Sequence, residues 1–270
     1  IGGKKNKFSF YAFYNHKRGD GFRNNSNYKS NNVYVHLKKN LSNKSELSGE
    51  VTYMNYLAKQ AGGLSDRMFI NNPMQSNRSR NWFELDWLLY NFKFKHRFNE
   101  KTNLSFNLFG LDAERNTVGF RTNRVDQVDP LTERDLIRGN FNNHGLELKV
   151  LRKYQINEKK GTFVLGGKYY RSKSLSKQGP GSEGSDADFN IYLDEFPNYS
   201  NQSNYIYPNK NFAFFGENVF YINERLSFTP GFRVENIVTK SNGNYKRINL
   251  DGAGNAVSYT HLTLPTTLTV

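Results

Sequence analysis

Along much of the chain, apolar and polar positions alternate with a period of two. Phe8, Phe10, Ala12 and Tyr14 alternate with Ser9, Tyr11, Phe13 and Asn15, the pattern of a strand with one apolar face. Val33, Val35 and Leu37 repeat it, and after a short turn at Leu41–Lys44 so do Leu47, Gly49, Val51 and Tyr53, which predicts a hairpin. A second hairpin follows. Tyr90, Phe92, Phe94, His96 and Phe98 stand opposite Asn91, Lys93, Lys95 and Arg97; beyond Asn99–Thr102, Leu104, Phe106 and Leu108 stand opposite Ser105 and Asn107. Leu146, Leu148 and Val150 open a third hairpin that turns at Asn157–Gly161 into Phe163–Arg171. A fourth joins Phe212–Tyr221 to Leu226–Val234 through Asn223 and Glu224. The pattern predicts about nine strands.

The connections alternate in length. Those near Ser42, Asn99, Glu158 and Asn223 are short, whereas Lys17–Lys29, Ala58–Trp82, Asp112–Gly139 and Ser174–Lys210 are long and polar. Short turns on one side and long loops on the other mark an outer-membrane barrel, and a soluble sandwich has no reason to keep that asymmetry. The expected fold class is therefore all-β, a partial antiparallel transmembrane β-barrel.

Composition agrees once the membrane signal is sought as alternation. Only 36% of the 270 residues are hydrophobic and the mean hydropathy is −0.78, thin for a buried core. Yet the 22 Phe and 17 Tyr argue against a disordered chain. No run approaches the roughly 20 apolar residues of a membrane-spanning helix. The formal net charge of +14 points to anionic partners. There is no cysteine; His16, His36, His96 and His144 are scattered without metal-site spacing, and His261 lies in the tail. Gly179–Gly184 formally fits a dinucleotide glycine pattern, but Pro180 and the lack of a βαβ context make it a loop. No nucleophile elbow or carboxylate dyad stands out, so no enzymatic activity and no cofactor are expected.

Two loop segments and one strand carry a family resemblance. Gln60-Ala-Gly-Gly-Leu-Ser-Asp66 followed by Asn72-Pro-Met-Gln-Ser-Asn-Arg78 resembles an extracellular-loop pattern of TonB-dependent ferric dicitrate receptors. Thr229-Pro-Gly-Phe-Arg-Val-Glu235 resembles a strand of TonB-dependent barrels more generally, and Arg18-Gly-Asp20 with Phe22-Arg23 resembles their first long loop. The resemblance spans about Lys4 to Asn255.

It implies a barrel of about 22 strands in the Gram-negative outer membrane, filled by an N-terminal plug and driven through the energy-coupling protein TonB. Neither plug nor coupling peptide lies in this sequence, and a start at Ile1 suggests a truncated N-terminus. Iron would enter as cargo, already chelated. In such receptors arginines hold the carboxylate-rich chelate, since a guanidinium pairs bidentately with carboxylates. The loop holding Arg115, Arg121, Arg124, Arg134 and Arg138 occupies a place resembling the family's ligand-contacting region, and the resemblance points to Arg121, Arg134 and Arg138 first, with Arg124 beside them. Gln75, Arg78 and Arg80 would add contacts from the Gly-Gly-Leu loop. The competing reading is that these arginines pair with Asp126, Asp129, Glu133 and Asp135, or bridge lipopolysaccharide phosphates. Lipopolysaccharide and outer-membrane lipid are expected partners in any case.

Residues 1–256 are thus read as barrel. Val257 to Thr266 resembles one reading frame of a transposase sequencing adapter, so residues 257–270 are expected to be read-through and not native protein. Alternatives are an importer of another siderophore, cobalamin or a glycan, or a passive porin or adhesin, which would need neither plug nor TonB. A soluble nucleic-acid binder with aromatics among lysines fits the charge but not the loop asymmetry, and no nucleic-acid partner is expected.

Overall fold

The computed structural model describes residues 1–122, 124–250, 256–262 and 268–269. The chain forms one antiparallel sheet in which each of the first nine strands pairs with the next. A short β1 (Gly2–Lys5) turns into β2 (Phe8–Gly19), followed by β3 (Tyr28–Asn40), β4 (Ser45–Lys59), β5 (Trp82–Asn99) and β6 (Thr102–Gly119). Then come β7 (Asp135–Ile156), β8 (Lys159–Pro180) and β9 (Asn201–Tyr221). The segments β10 (Ser227–Phe228), β11 (Gly231–Thr239) and β12 (Asn242–Leu250) all run along β9 in one unbroken register, from Ser227↔Tyr221 through Gly231↔Glu217 to Arg247↔Asn201. They are one strand with two interruptions. Pro230 cannot donate to the ladder, though its carbonyl still accepts from the Asn218 amide.

From β1 to β10 the connections at one end of the sheet are all short and those at the other end all long. At residues 157–158 the turn has positive φ at both Asn157 and Glu158, as a tight hairpin matching the strand twist requires. The long connections, residues 20–27, 60–81, 120–134 and 181–200, meet at the opposite end. The second contains one helical turn and a half, α1 (Asp66–Asn71), capped by the Ser65 hydroxyl.

All four long loops are shorter than the alternation pattern predicts, the third and fourth by most, because the strands run further. β6 continues to Gly119 and β7 starts at Asp135; β8 continues to Pro180 and β9 starts at Asn201. At about 3.3 Å per residue the 22 residues of β8 reach on the order of 70 Å, whereas crossing a bilayer takes about 9–11 residues. Beyond the apolar band the strands carry polar residues on both faces or are covered by the loops, as Val118 and Leu136 are, so the period-two signal fades while the main-chain ladder persists.

Register shows how the two faces differ. Phe10, Leu37, Gly49, Phe92, Leu108, Leu146, Tyr169 and Phe212 are successive cross-strand partners, so one apolar row runs across eight strands. Phe10, Leu37, Phe92, Leu108, Leu146, Tyr169 and Phe212 are all exposed despite their size. The neighbouring row on the other face reads Ser9, Lys38, Ser48, Lys93, Asn107, Glu147, Lys168 and Ala213. That polar face is hollowed, with a concavity of about 510 Å³ lined by Tyr34, Glu50, Asn91, Phe109 and Asn143 among others. It is the inner face of a barrel wall, and the apolar face is the outer one.

Of the suspected read-through, residues 263–267 and 270 lie outside the described residues. Its remaining parts fall in β13 (Ala256–Leu262), which pairs with β12, and β14 (Leu268–Thr269), which pairs with β11. Ladder pairing is a main-chain interaction that any extended segment satisfies.

Candidate functional site: the arginine-stapled loop crown

The four long loops form a crown at one end of the wall, and arginines stitch them together. A guanidinium offers five N–H donors in a planar fork, so one side chain can satisfy carbonyls from several loops. Arg23, in the first loop, donates to the carbonyls of Gln75 at 2.8 and 3.0 Å, Gly62 at 2.6 Å and Ala61 at 3.3 Å. It therefore grips both halves of the Gly-Gly-Leu and Pro-Met-Gln-Ser-Asn-Arg pattern. Gly62 sits at φ +75°, where a Cβ would lie 2.6 Å from Arg78 Cγ. The glycine is needed both for its backbone angle and for the close approach of Arg78.

Arg78 and Arg80 carry the stitching into the third and fourth loops. Arg78 is buried and donates to the carbonyls of Asn77, Gln127 and Val125, with its guanidinium 5.0 Å from the Phe120 ring. Arg80, equally buried, holds Asp129 with both prongs, Nε to Oδ2 at 2.9 Å and Nη2 to Oδ1 at 2.5 Å. Its third nitrogen donates to the carbonyls of Thr132 and Glu183. Burial works against the Asp129 carboxylate, yet the Arg80 fork, the Leu131 amide and the nearby Arg78 charge hold it below the usual Asp value.

Arg134 is wholly buried. It donates to the carbonyls of Ser182 at 3.0 Å, Asp186 at 2.6 Å and Arg80 at 3.2 Å, and to the Ser182 hydroxyl at 2.6 Å. Burial pulls its guanidinium below the ordinary arginine value, which the charge of Asp186 opposes. Trp82 Nε1 adds a further link to the Ser185 carbonyl at 2.9 Å.

A second group lies at the inner edge. Asp135 accepts from Arg121 Nη1 at 2.8 Å, from Gln178 Nε2 at 3.0 Å and from the Tyr199 hydroxyl at 2.8 Å. Burial and the Asp135 charge push the Tyr199 hydroxyl well above the usual tyrosine value, so it stays a donor.

The residues singled out from sequence thus fall into different surroundings. Arg78, Arg80 and Arg134 face loop carbonyls and carboxylates inside the crown. Gln75 likewise turns inward, its amide donating to the Met68 carbonyl. Arg138 sits on β7 with the parity of Leu146, on the outer face, paired to Glu114 at 2.8 Å. Arg121 keeps about half its side chain exposed, and Arg124 is exposed with a loose contact to Asp126 at 3.8 Å. Sequence reading passed over Arg115 as one of a loop cluster. It lies on β6 with the parity of Phe109, exposed on the inner face, its guanidinium 5.6 Å from the Phe141 ring. It also missed Arg23 and Tyr199, whose partners are 38 or more residues away in sequence. A hollow of about 700 Å³ lies elsewhere, along the inner face at the short-turn end, with Lys44, Lys95, Arg97 and Lys149 on its walls. It is a stretch of the concave wall and not an enclosed chamber.

An antiparallel wall with an apolar outer band, a polar inner face and a crown of long loops on one side defines a segment of an outer-membrane-type β-barrel. Among solved structures the chain has the fold of part of a TonB-dependent receptor barrel. It superposes on the ferric citrate transporter FecA in its unliganded form with a TM-score of 0.75 at 16% identity, covering 96% of this chain and 36% of that one. It is similar also to the ferric-catecholate import receptor Fiu from E. coli K12, with a TM-score of 0.67 at 9% identity, covering 99% and 47%. The outer-membrane ferripyoverdine receptor of Pseudomonas aeruginosa bound to ferripyoverdine gives 0.64 at 10% identity, covering 99% and 37%. The chain thus spans between about a third and a half of the length of these structures. No known protein-family model matches it, and neither does any curated protein sequence.

Proposed function

We propose that the chain is part of the barrel of an outer-membrane, TonB-dependent importer of an anionic ferric chelate, and that the chelate is ferric dicitrate. The observation that carries this reading is the division of labour among the crown arginines. Arg23, Arg78, Arg80 and Arg134 hold the loops, while Arg115 and Arg121 remain accessible on the inner side and Arg124 is exposed on the third loop.

Those three cations suit a carboxylate-rich ligand, because charge-assisted hydrogen bonds to carboxylates are among the strongest a side chain makes. Arg121 can leave Asp135 at modest cost, since Gln178 and Tyr199 still satisfy that carboxylate. The stitched crown keeps the mouth in shape while the ligand docks, and energy for inward movement would come through TonB, acting on a plug outside this chain. The Gly-Gly-Leu and Pro-Met-Gln-Ser-Asn-Arg pattern and the likeness to FecA support citrate over other chelates.

The test is ligand binding to the complete receptor that carries this chain, with ferric dicitrate compared against a ferric hydroxamate. Selective citrate binding, weakened about tenfold or more by Arg115→Gln, Arg121→Gln and Arg124→Gln together, is expected. Uptake of a different chelate without citrate binding would keep the importer and discard citrate. Unregulated diffusion of small solutes, independent of TonB, would discard the importer.

A further inference from the structure

We propose that the outer face of β8, β9 and β11, just above the apolar band, binds the phosphoryl groups of the outer-leaflet glycolipid lipopolysaccharide. Arg171, Lys173, Lys210 and Lys240 are the cations. This rests on the barrel reading given above and adds a second, lipid-facing site remote from the crown.

The register places the site. The last row that is apolar on all three of β7, β8 and β9 is Leu146, Tyr169 and Phe212, successive cross-strand partners that are 38, 38 and 57% exposed, and above the cations the isolated pair Leu175 and Ile206 follows. Two residues nearer the long loops, the same face carries His144, Arg171 and Lys210, again directly paired across the strands. One step higher come Asn142, Lys173 and Pro208, and the Lys240 amide donates to the Pro208 carbonyl in the same register. Arg171, Lys173, Lys210 and Lys240 are all exposed. Strands lie about 4.8 Å apart and alternate residues about 7 Å, so the four charges share a patch on the order of 10 Å across.

Two features show that this patch is not a casual scatter of surface lysines. Arg171 and Lys210 are direct cross-strand partners, and like charges placed directly opposite one another destabilise a sheet. None of the four forms an ion pair among the described residues, whereas Lys38 and Lys95 on the inner face meet Glu46, and Lys149 meets Glu147. The patch is also local, since β5 and β6 carry Glu84, Asp86, Asp112 and Glu114 on the same face at and above these rows. An anion between Arg171 and Lys210 turns their repulsion into two charge-assisted contacts. The adjoining Tyr169 and Phe212 select a ligand whose phosphate is joined to acyl chains, because aromatic side chains settle where headgroup meets hydrocarbon. Free phosphate has no use for that row.

The experiment uses the complete receptor in detergent, with native mass spectrometry reading retention of bisphosphorylated lipid A against dephosphorylated lipid A. The comparison protein carries Arg171→Gln, Lys173→Gln, Lys210→Gln and Lys240→Gln; if that variant does not fold, Arg171→Gln with Lys210→Gln is read instead. Heat-modifiable mobility on a gel reports the folded barrel in each case. Retention that falls about tenfold or more in the variant, and equally on dephosphorylation, is the expected result. Equal retention by parent and variant, or of lipid A with and without phosphate, overturns the proposal while leaving the importer intact. Displacement by inorganic phosphate alone would make this a simple anion site and also overturn the lipid assignment. A soluble protein without heat-modifiable mobility would sink both readings.

Discussion

Arg134 donates to the main-chain carbonyl of Arg80 at 3.2 Å, across 54 residues of sequence, so one buried guanidinium rests on the backbone of the residue that carries another. Two cations so close are tolerable because each is surrounded by acceptors. Arg80 has the Asp129 carboxylate, and Arg134 has three carbonyls and the Ser182 hydroxyl. Together they join the second, third and fourth loops into one body.

Replacing Arg134 is expected to loosen that body. Arg134→Ala strips partners from several buried carbonyls at once, and Arg134→Lys offers a point charge where a planar fork is needed. Both should open the crown, by about 3 kcal/mol or more for the alanine, with the barrel still folded. Limited proteolysis within residues 120–134 and 181–200, compared with heat-modifiable mobility of the barrel, checks this; protected loops in Arg134→Lys would show that charge alone suffices.

The Arg80–Asp129 pair makes the crown sensitive to acid. Its carboxyl titrates lower in the folded protein than in the unfolded chain, where it takes the ordinary value near 3.8. The pair's contribution is therefore complete above that value and is lost as pH falls through the lower folded value. Asp129→Asn should abolish this acid step and, by leaving a buried charge uncompensated, weaken the crown by about 3 kcal/mol at neutral pH. Amide hydrogen exchange of residues 124–134 across pH 2–6 measures it. An identical acid profile in Asp129→Asn would assign the step to another group.

Gly62 explains why the loop pattern needs a glycine opposite its arginine. Gly62→Ala meets a positive φ and a Cβ 2.6 Å from Arg78 Cγ, so a cost of about 1–3 kcal/mol in loop stability is expected. Gly63→Ala, whose Cβ would find Val125 at 3.4 Å, should be close to neutral. Urea-dependent proteolysis of the two variants compares them, and equal losses would refute the account.

Neighbouring residues on β6 test the two faces of the wall. Leu108 is on the apolar outer row and Asn107 on the polar inner row. Phe106→Arg, two residues deeper than Leu108 on the same outer face, should cost about 2–4 kcal/mol in a bilayer, and Asn107→Arg much less. Folding into vesicles followed by urea titration distinguishes them; equal costs would mean that the outer face does not meet lipid.

Much of this architecture is legible in the sequence because alternation is a local code. Phe92 against Lys93 and Leu108 against Asn107 declare their faces without knowledge of any partner, and Asn157-Glu158 or Asn223-Glu224 declare the tight turns. The same code falls silent above the apolar band, where β8 continues to Pro180 and β9 begins at Asn201 with no apolar period to mark them.

The crown divides in the same way. That arginines gather in the loops is plain in the sequence, as is the presence of Asp126, Asp129 and Asp135 to pair with them. Which arginine is saturated and which stays free depends on segments such as residues 80, 129, 134 and 182, brought together only when four loops converge. Sequence by itself determined the membrane-type wall, its two faces and the side bearing the long loops, because a strand's pleat writes burial into every second residue. Only the tertiary structure decided that Arg134 is a staple, Arg138 an outward residue and Arg115 an inner one, because a guanidinium's role is set by the acceptors that distant backbone places around it.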